Sequence, residues 1–149
     1  MKKIIAILIV TLLILLGGWL YLNNRTVNII DAHYDKYSAS IIVDHLPLTE
    51  QKKIAWWVSN QESIRQKYSI PAKSDEGTLK VYIWAFGDGY MPREKYDRLC
   101  FDDMKKTKNC IEKNQLMNID ISREGNVIYS FENDAYIRKE NGELLKLAN

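Results

Sequence analysis

The sequence predicts an α+β protein: a single N-terminal transmembrane helix, then one small domain with a mainly antiparallel sheet and one amphipathic helix. Three observations lead there. Ile4–Leu22 carries no charge and is almost wholly aliphatic. One later stretch, from Glu50 to Lys67, repeats apolar residues at helical spacing. Several short stretches alternate apolar with polar residues and are separated by turn residues.

The apolar stretch comes first. A helix over Ile4–Leu22 would be roughly 28 Å long, close to the ~30 Å hydrocarbon core of a bilayer. In lipid the backbone must satisfy its own hydrogen bonds, so such a segment is helical. Trp19 and Tyr21 fall near its far end, where amphipathic rings favour the membrane–water interface. Gly17-Gly18 lacks GxxxG spacing and says little about helix pairing. The amino terminus, Lys2 and Lys3 precede the stretch, and Arg25 alone follows closely. The positive-inside rule therefore puts the N-terminus in the cytoplasm and the bulk of the chain outside it. A cleaved signal peptide is the rival reading. Its apolar region should be about 7–15 residues, followed by small residues at the cut. Here the run is longer, and Asn23-Asn24-Arg25 follows it. The expectation is an uncleaved single-pass signal-anchor in a bacterial inner membrane. Residues 1–25 form its tip and span, and residues 26–149 form one periplasmic domain.

The chain has 149 residues, with 21 basic and 19 acidic side chains. About 125 residues remain beyond the anchor, enough for one core. Lys2, Lys3 and Arg25 account for the excess of positive charge, so the remainder is close to neutral. A neutral domain argues against nucleic acid as a partner. Cys100 and Cys110 both lie in the exported part. A pair in an oxidising compartment reads as a disulfide. Closing so short a loop is worth about 3 kcal/mol in the chain-entropy model, less any strain. Free thiols are the alternative, and the pair makes a poor zinc site.

The remaining elements follow in order. Asn23–Thr26 is a polar exit from the membrane. Val27–Tyr34 reads as a first strand. Ser38–Leu46 is a second, with Ile41, Val43 and His45 on one face and Ile42, Asp44 and Leu46 on the other. Apolar groups on both faces make it an interior strand. Pro47 ends it. Thr49 stands at an N-cap position with Glu50 in the first turn. Ile54, Trp57, Val58, Gln61, Ile64 and Tyr68 then mark the buried stripe of a helix over Glu50–Lys67, which Pro71 terminates. Ser74–Gly77 is a turn. Thr78–Phe86 is the strongest strand, with Leu79, Val81, Ile83 and Ala85 opposite Tyr82, Trp84 and Phe86. Gly87-Asp88-Gly89 stops it. Tyr90–Lys113 has little periodicity and reads as a long excursion pinned by the disulfide. Strands over Met117–Ile121, Val127–Phe131, Ala135–Lys139 and Leu144–Leu147 follow as a meander, with Asn141-Gly142 as a hairpin signal.

The stretch from Trp84 carries a resemblance. The matching text is Trp84-x-Phe86-Gly87-Asp88-Gly89-Tyr90, then Tyr96-Asp97-Arg98-Leu99-Cys100-Phe101-Asp102-Asp103-Met104, then Asn109-Cys110-Ile111-Glu112-Lys113. Trp56-Trp57, Tyr68-x-Ile70-Pro71 and the anchor match as well. The chain resembles a family of small inner-membrane proteins of enteric bacteria known as a domain of unknown function (DUF943). The resemblance implies location and family. It supplies no activity and no set of functional residues.

Candidate sites are few. Asp88, Glu94, Asp97, Asp102 and Asp103 could hold a cation or form an acid/base pair. Arg93, Lys95, Arg98 and Lys105 are interleaved with them, which favours ordinary ion pairing. His33 and His45 lie on adjacent expected strands, yet no third ligand completes a metal set. No nucleophile with a positioned base is visible. The expectation is therefore no catalytic residue, no cofactor and no metal. Trp84, Phe86, Asp88 and Tyr90 form the candidate partner surface, because aromatics beside a glycine turn can be either core or hot spot.

These readings favour a membrane-tethered periplasmic binding module and not an enzyme. It holds the lipid bilayer through Ile4–Leu22, and an immunity-type role against a toxin delivered to the envelope fits its charge pattern. The first alternative is a structural or regulatory subunit of an envelope complex. The second is a hydrolase using the carboxylates of residues 88–103.

Overall fold

The computed structural model describes residues 1–74 and 77–148. Helix α1 runs Lys2–Asn24, a turn longer than its apolar run and exposed along its length except at Asn23. Strands β1 (Ile29–Tyr34) and β2 (Ser38–Val43) form a hairpin, and Asp35 closes its turn by accepting the amides of Tyr37 and Ser38. Helix α2 spans Glu50–Tyr68. Strands β3 (Lys73–Ser74) and β4 (Gly77–Thr78) pair with each other, and β5 runs Lys80–Ala85. The expected turn at Ser74–Gly77 falls partly on residues 75–76, outside the described residues.

Three short strands follow: β6 (Met91–Pro92), β7 (Arg98–Cys100) and β8 (Lys108–Glu112). They form a separate antiparallel sheet in the order β6-β8-β7. Here the expectation of an irregular excursion is corrected. Strands of two to five residues are too short to show a period, and cross-strand pairing sets them. The meander completes the chain: β9 (Gln115–Ile121), β10 (Val127–Ser130), β11 (Ala135–Arg138) and β12 (Leu144–Lys146).

The main sheet has seven strands in the order β1-β2-β5-β9-β10-β11-β12. Every neighbouring pair in it is antiparallel except β2 with β5. That pair is parallel because α2 carries the chain from one end of the sheet back to the other, as parallel neighbours require. The fold is α+β, with the central strands where the two-faced apolar patterns of β2 and β5 place them.

Alternation along β2 and β5 divides the core in two. Ala39, Ile41, Val43, Val81 and Ile83 face α2 and pack with Ile54, Trp57 and Ile64 from its buried stripe. Met117, Ile119, Tyr129 and Tyr136 extend this layer across the meander. Trp57 is 1% exposed, while Trp56, one residue round the helix, packs at its border. On the opposite face Ile42 packs with Phe101 and Ile111 of the three-stranded lobe, and Trp84, Phe86, Tyr90, Leu99 and Met104 surround them.

Both ends of α2 differ from the simplest reading. Thr49 has N-cap backbone angles, yet its side chain makes no capping bond. At the other end the helix stops at Tyr68, because Ser69 turns left-handed with φ 54 and the Ile70 amide returns to the Arg65 carbonyl. The stop thus precedes Pro71 and uses an αL C-terminal geometry.

Candidate functional site

The site grows out of the sheet edge and the bridged lobe. Asp31 and His33 sit two residues apart on β1, so their side chains share a face. His33 pairs with Ser40 and Asp31 with Ile42, which puts both on the lobe side. The lobe is stitched by Cys100 and Cys110, which lie opposite each other on β7 and β8 with Sγ atoms 2.11 Å apart. The bridge fixes Phe101, and a tight turn follows in which the Met104 amide returns to the Phe101 carbonyl. Phe101 stacks on the His33 ring, with centroids 4.0 Å apart and planes 16° from parallel.

His33 is 7% exposed and engaged at both ring nitrogens. Nδ1 lies 2.7 Å from Asp103 Oδ2, and Nε2 lies 3.2 Å from the Tyr90 hydroxyl. The same hydroxyl donates to Asp31 Oδ2 at 3.3 Å. Asp103, His33, Tyr90 and Asp31 therefore form one polar chain that joins the lobe, the β5–β6 connection and the sheet edge. Burial raises the Tyr90 hydroxyl pKa above its ordinary value, and the charge of Asp31, its hydrogen bond and Asp103 push it further.

A cleft of about 260 Å³ opens beside this chain. Tyr34, Asp35, Ser38 and Ser40 line it from the hairpin, and Leu99, Asp102 and Asp103 from the lobe. Tyr34 is 51% exposed at its edge.

The predicted site residues scatter across this geometry. Trp84 and Phe86 pack into the lobe-side core, and Phe86 meets Tyr90 edge-on with centroids 5.3 Å apart. The Tyr90 ring points into the polar chain and is not offered at the rim of the sheet. Asp88 is exposed in the turn between Gly87 and Gly89, both at positive φ. The acidic residues are drawn into separate ion pairs: Asp102 with Arg93, Glu94 with Arg98, and Asp97 with Lys113. Among the described residues no group of three His, Cys, Asp or Glu side chains could hold a metal. His33 and His45 do not face each other, because His45 lies past the end of β2, beside Asp44 and Arg25. Sequence reasoning noticed His33 and Asp103 separately but not their pairing. The two are 70 residues apart, and only the bridged lobe brings them together.

A second feature was not visible at all. The segment leaving α1 is laced to the segment entering α2. Asn23 is 2% exposed, and its Oδ1 accepts the amides of Leu48 at 3.0 Å and Thr49 at 3.4 Å. These are the donors that the expected Thr49 cap would have left open. Lys52 donates to Asn24 at 2.6 Å, and Arg25 to His45 at 3.0 Å. Asp44 accepts the Asn28 amide and side chain, each at 2.9 Å. Burial would raise the Asp44 pKa, but the Asn28 bonds, the His45 amide and the His45 ring outweigh it and hold the carboxyl below its usual range.

No curated protein and no solved structure matches the chain. Helix α1 is long and apolar enough to cross a membrane. The model of the family described as "Enterobacterial putative membrane protein (DUF943)" matches residues 1–148, and the chain belongs to that family.

Proposed function

We propose that this chain is a membrane-tethered binding module that holds a protein partner on the periplasmic side. An immunity-type role against an envelope-targeted toxin is the specific form we favour. The observation that carries the reading is the state of the cleft beside His33. Both ring nitrogens are engaged, by Asp103 and Tyr90, which ties the His33 ring into the support of the lobe. What the cleft presents instead is a rim of Tyr34, Asp35 and Asp102 on a bridged scaffold. Exposed tyrosine beside charge is the composition of binding hot spots, and rigid support lowers the entropic cost of association.

The partner surface is accordingly moved from Trp84, Phe86 and Tyr90, which support the lobe from beneath, to the rim above them. Asp88 stays available as an exposed contact. The experiment is to isolate what co-purifies with the intact protein from membranes and to measure its affinity for two variants. Tyr34→Ala should weaken binding by about 2 kcal/mol with thermal unfolding unchanged. A Tyr34→Ala, Asp102→Ala protein that retains every co-purifying protein at full affinity overturns the assignment of this rim.

The alternative of a subunit in an envelope complex is favoured by one observation, the lacing of Asn23, Asn24 and Arg25 to the domain. A mere tether needs no such junction. In that reading an unrelated anchor replacing Ile4–Leu22 abolishes function even though the domain still reaches the periplasm.

A further inference from the structure

The lacing at the end of α1 fixes how deep the domain sits, and this has a chemical consequence for the start of α2. The inference rests on α1 crossing the bilayer. Ile4–Leu22 is roughly as long as the hydrocarbon core is thick, and Lys2 and Lys3 stop it from sliding further in. Asn23 therefore lies at the boundary of the hydrocarbon. The Leu48 amide is 3.0 Å from the Asn23 side chain and the Lys52 ammonium 2.6 Å from that of Asn24. The headgroup layer is roughly 5–8 Å deep on each side of the core. Leu48 and Lys52 are held within that layer whatever the tilt of α1.

We propose that the connection Pro47–Thr49 and the first turn of α2 form a second membrane contact, with lipid as the occupant. Three observations point to lipid. Leu48 is 49% exposed, an aliphatic side chain half uncovered beside the end of the span. Arg25 and Lys52 are exposed beside it, and neither is paired with a carboxylate among the described residues. The nearby carboxylates are engaged by other partners: Asp44, exposed at the surface, accepts from Asn28 and lies beside His45, and half-buried Glu50 accepts the Tyr136 hydroxyl at 2.8 Å. Arg25 and Lys52 thus meet lipid phosphates with no carboxylate partner of their own among the described residues, and Leu48 enters the acyl boundary as an interfacial residue does. The contact is continuous with the span, so it orients the domain and aims its lobe.

The test uses the full chain, with its disulfide intact, in nanodiscs of mixed zwitterionic and anionic phospholipid. A Leu48→Cys protein is labelled with an environment-sensitive fluorophore and compared with a Tyr96→Cys protein labelled on the exposed lobe. The Leu48 label should be quenched at least threefold more by shallow nitroxide lipids than by aqueous iodide, and the Tyr96 label the reverse. Adding Arg25→Gln and Lys52→Gln should remove much of the lipid quenching at position 48. Equal iodide access at both positions overturns the proposal, and is the outcome expected if a protein partner covers Leu48 in the cell. A full chain that fails to enter nanodiscs overturns the span reading itself, a failure distinct from that one.

Discussion

On the α2 face of the central sheet the packing is mostly aliphatic and periodic. Ile41, Val43, Val81 and Ile83 alternate along their strands, and Ile54, Trp57 and Ile64 recur along the helix that covers them. On the lobe face the packing is aromatic and its members are scattered. Phe101 and Ile111 come from a bridged lobe, Trp84 and Phe86 from β5 and the residue after it, and a polar chain of Asp31, His33, Tyr90 and Asp103 runs alongside. The first face follows from local periodicity, which any amphipathic helix on a sheet obeys. The second depends on one covalent bridge and four polar partners whose geometry must all agree. Such a network is costly when half satisfied, so the lobe face specifies position more than it supplies stability.

That contrast predicts unequal responses. Trp57→Ala should have the largest effect, about 3–5 kcal/mol, because it opens a large cavity in the aliphatic layer. Urea unfolding of the detergent-solubilised protein measures it. Replacing both cysteines, Cys100→Ser with Cys110→Ser, should cost about 2–4 kcal/mol through the lost loop constraint. Hydrogen exchange locates that loss. Amides of β8 should lose protection while those of β5 and β9 keep theirs. If all three strands lose protection together, the two faces do not behave as separate layers.

The same contrast explains what could be read in advance. β2, α2 and β5 were legible because each carries its own repeat of apolar residues. The parallel pairing of β2 with β5 follows once α2 is placed between them. The lobe strands were illegible: β6 has two residues and β7 three, too few for any period. The disulfide was legible as a pair of cysteines, but nothing near it announced that Phe101 would stack on a histidine from β1. Asn23 was the least legible residue of all. After an apolar run, asparagine reads as an exit to water, yet here it is buried and caps two amides from a segment 25 residues further on. Contacts made across long separations leave no local mark on composition or period.

The smallest expected effect is the most discriminating for the lobe face. Tyr90→Phe keeps the ring that meets Phe86 and Phe101 and removes only the hydroxyl. At neutral pH the loss should be about 1–2 kcal/mol, because His33 Nε2 and Asp31 lose a shared partner in a part-buried place. Alkali should narrow the gap. The Tyr90 pKa in the folded protein lies above the ordinary tyrosine value of 10.0, so its contribution is complete below that value. As pH rises past 10.0 the unfolded chain releases this proton first, and the wild-type protein loses stability that the phenylalanine variant never had. Tyr129 and Tyr136 are raised as well, but they are present in both proteins and cancel in the difference. Unfolding curves for the pair at neutral pH and above pH 10.0 therefore isolate this one hydroxyl. Equal stability of the two proteins at neutral pH would show that Tyr90 acts through its ring alone, and the polar chain would then add nothing to the position of the lobe.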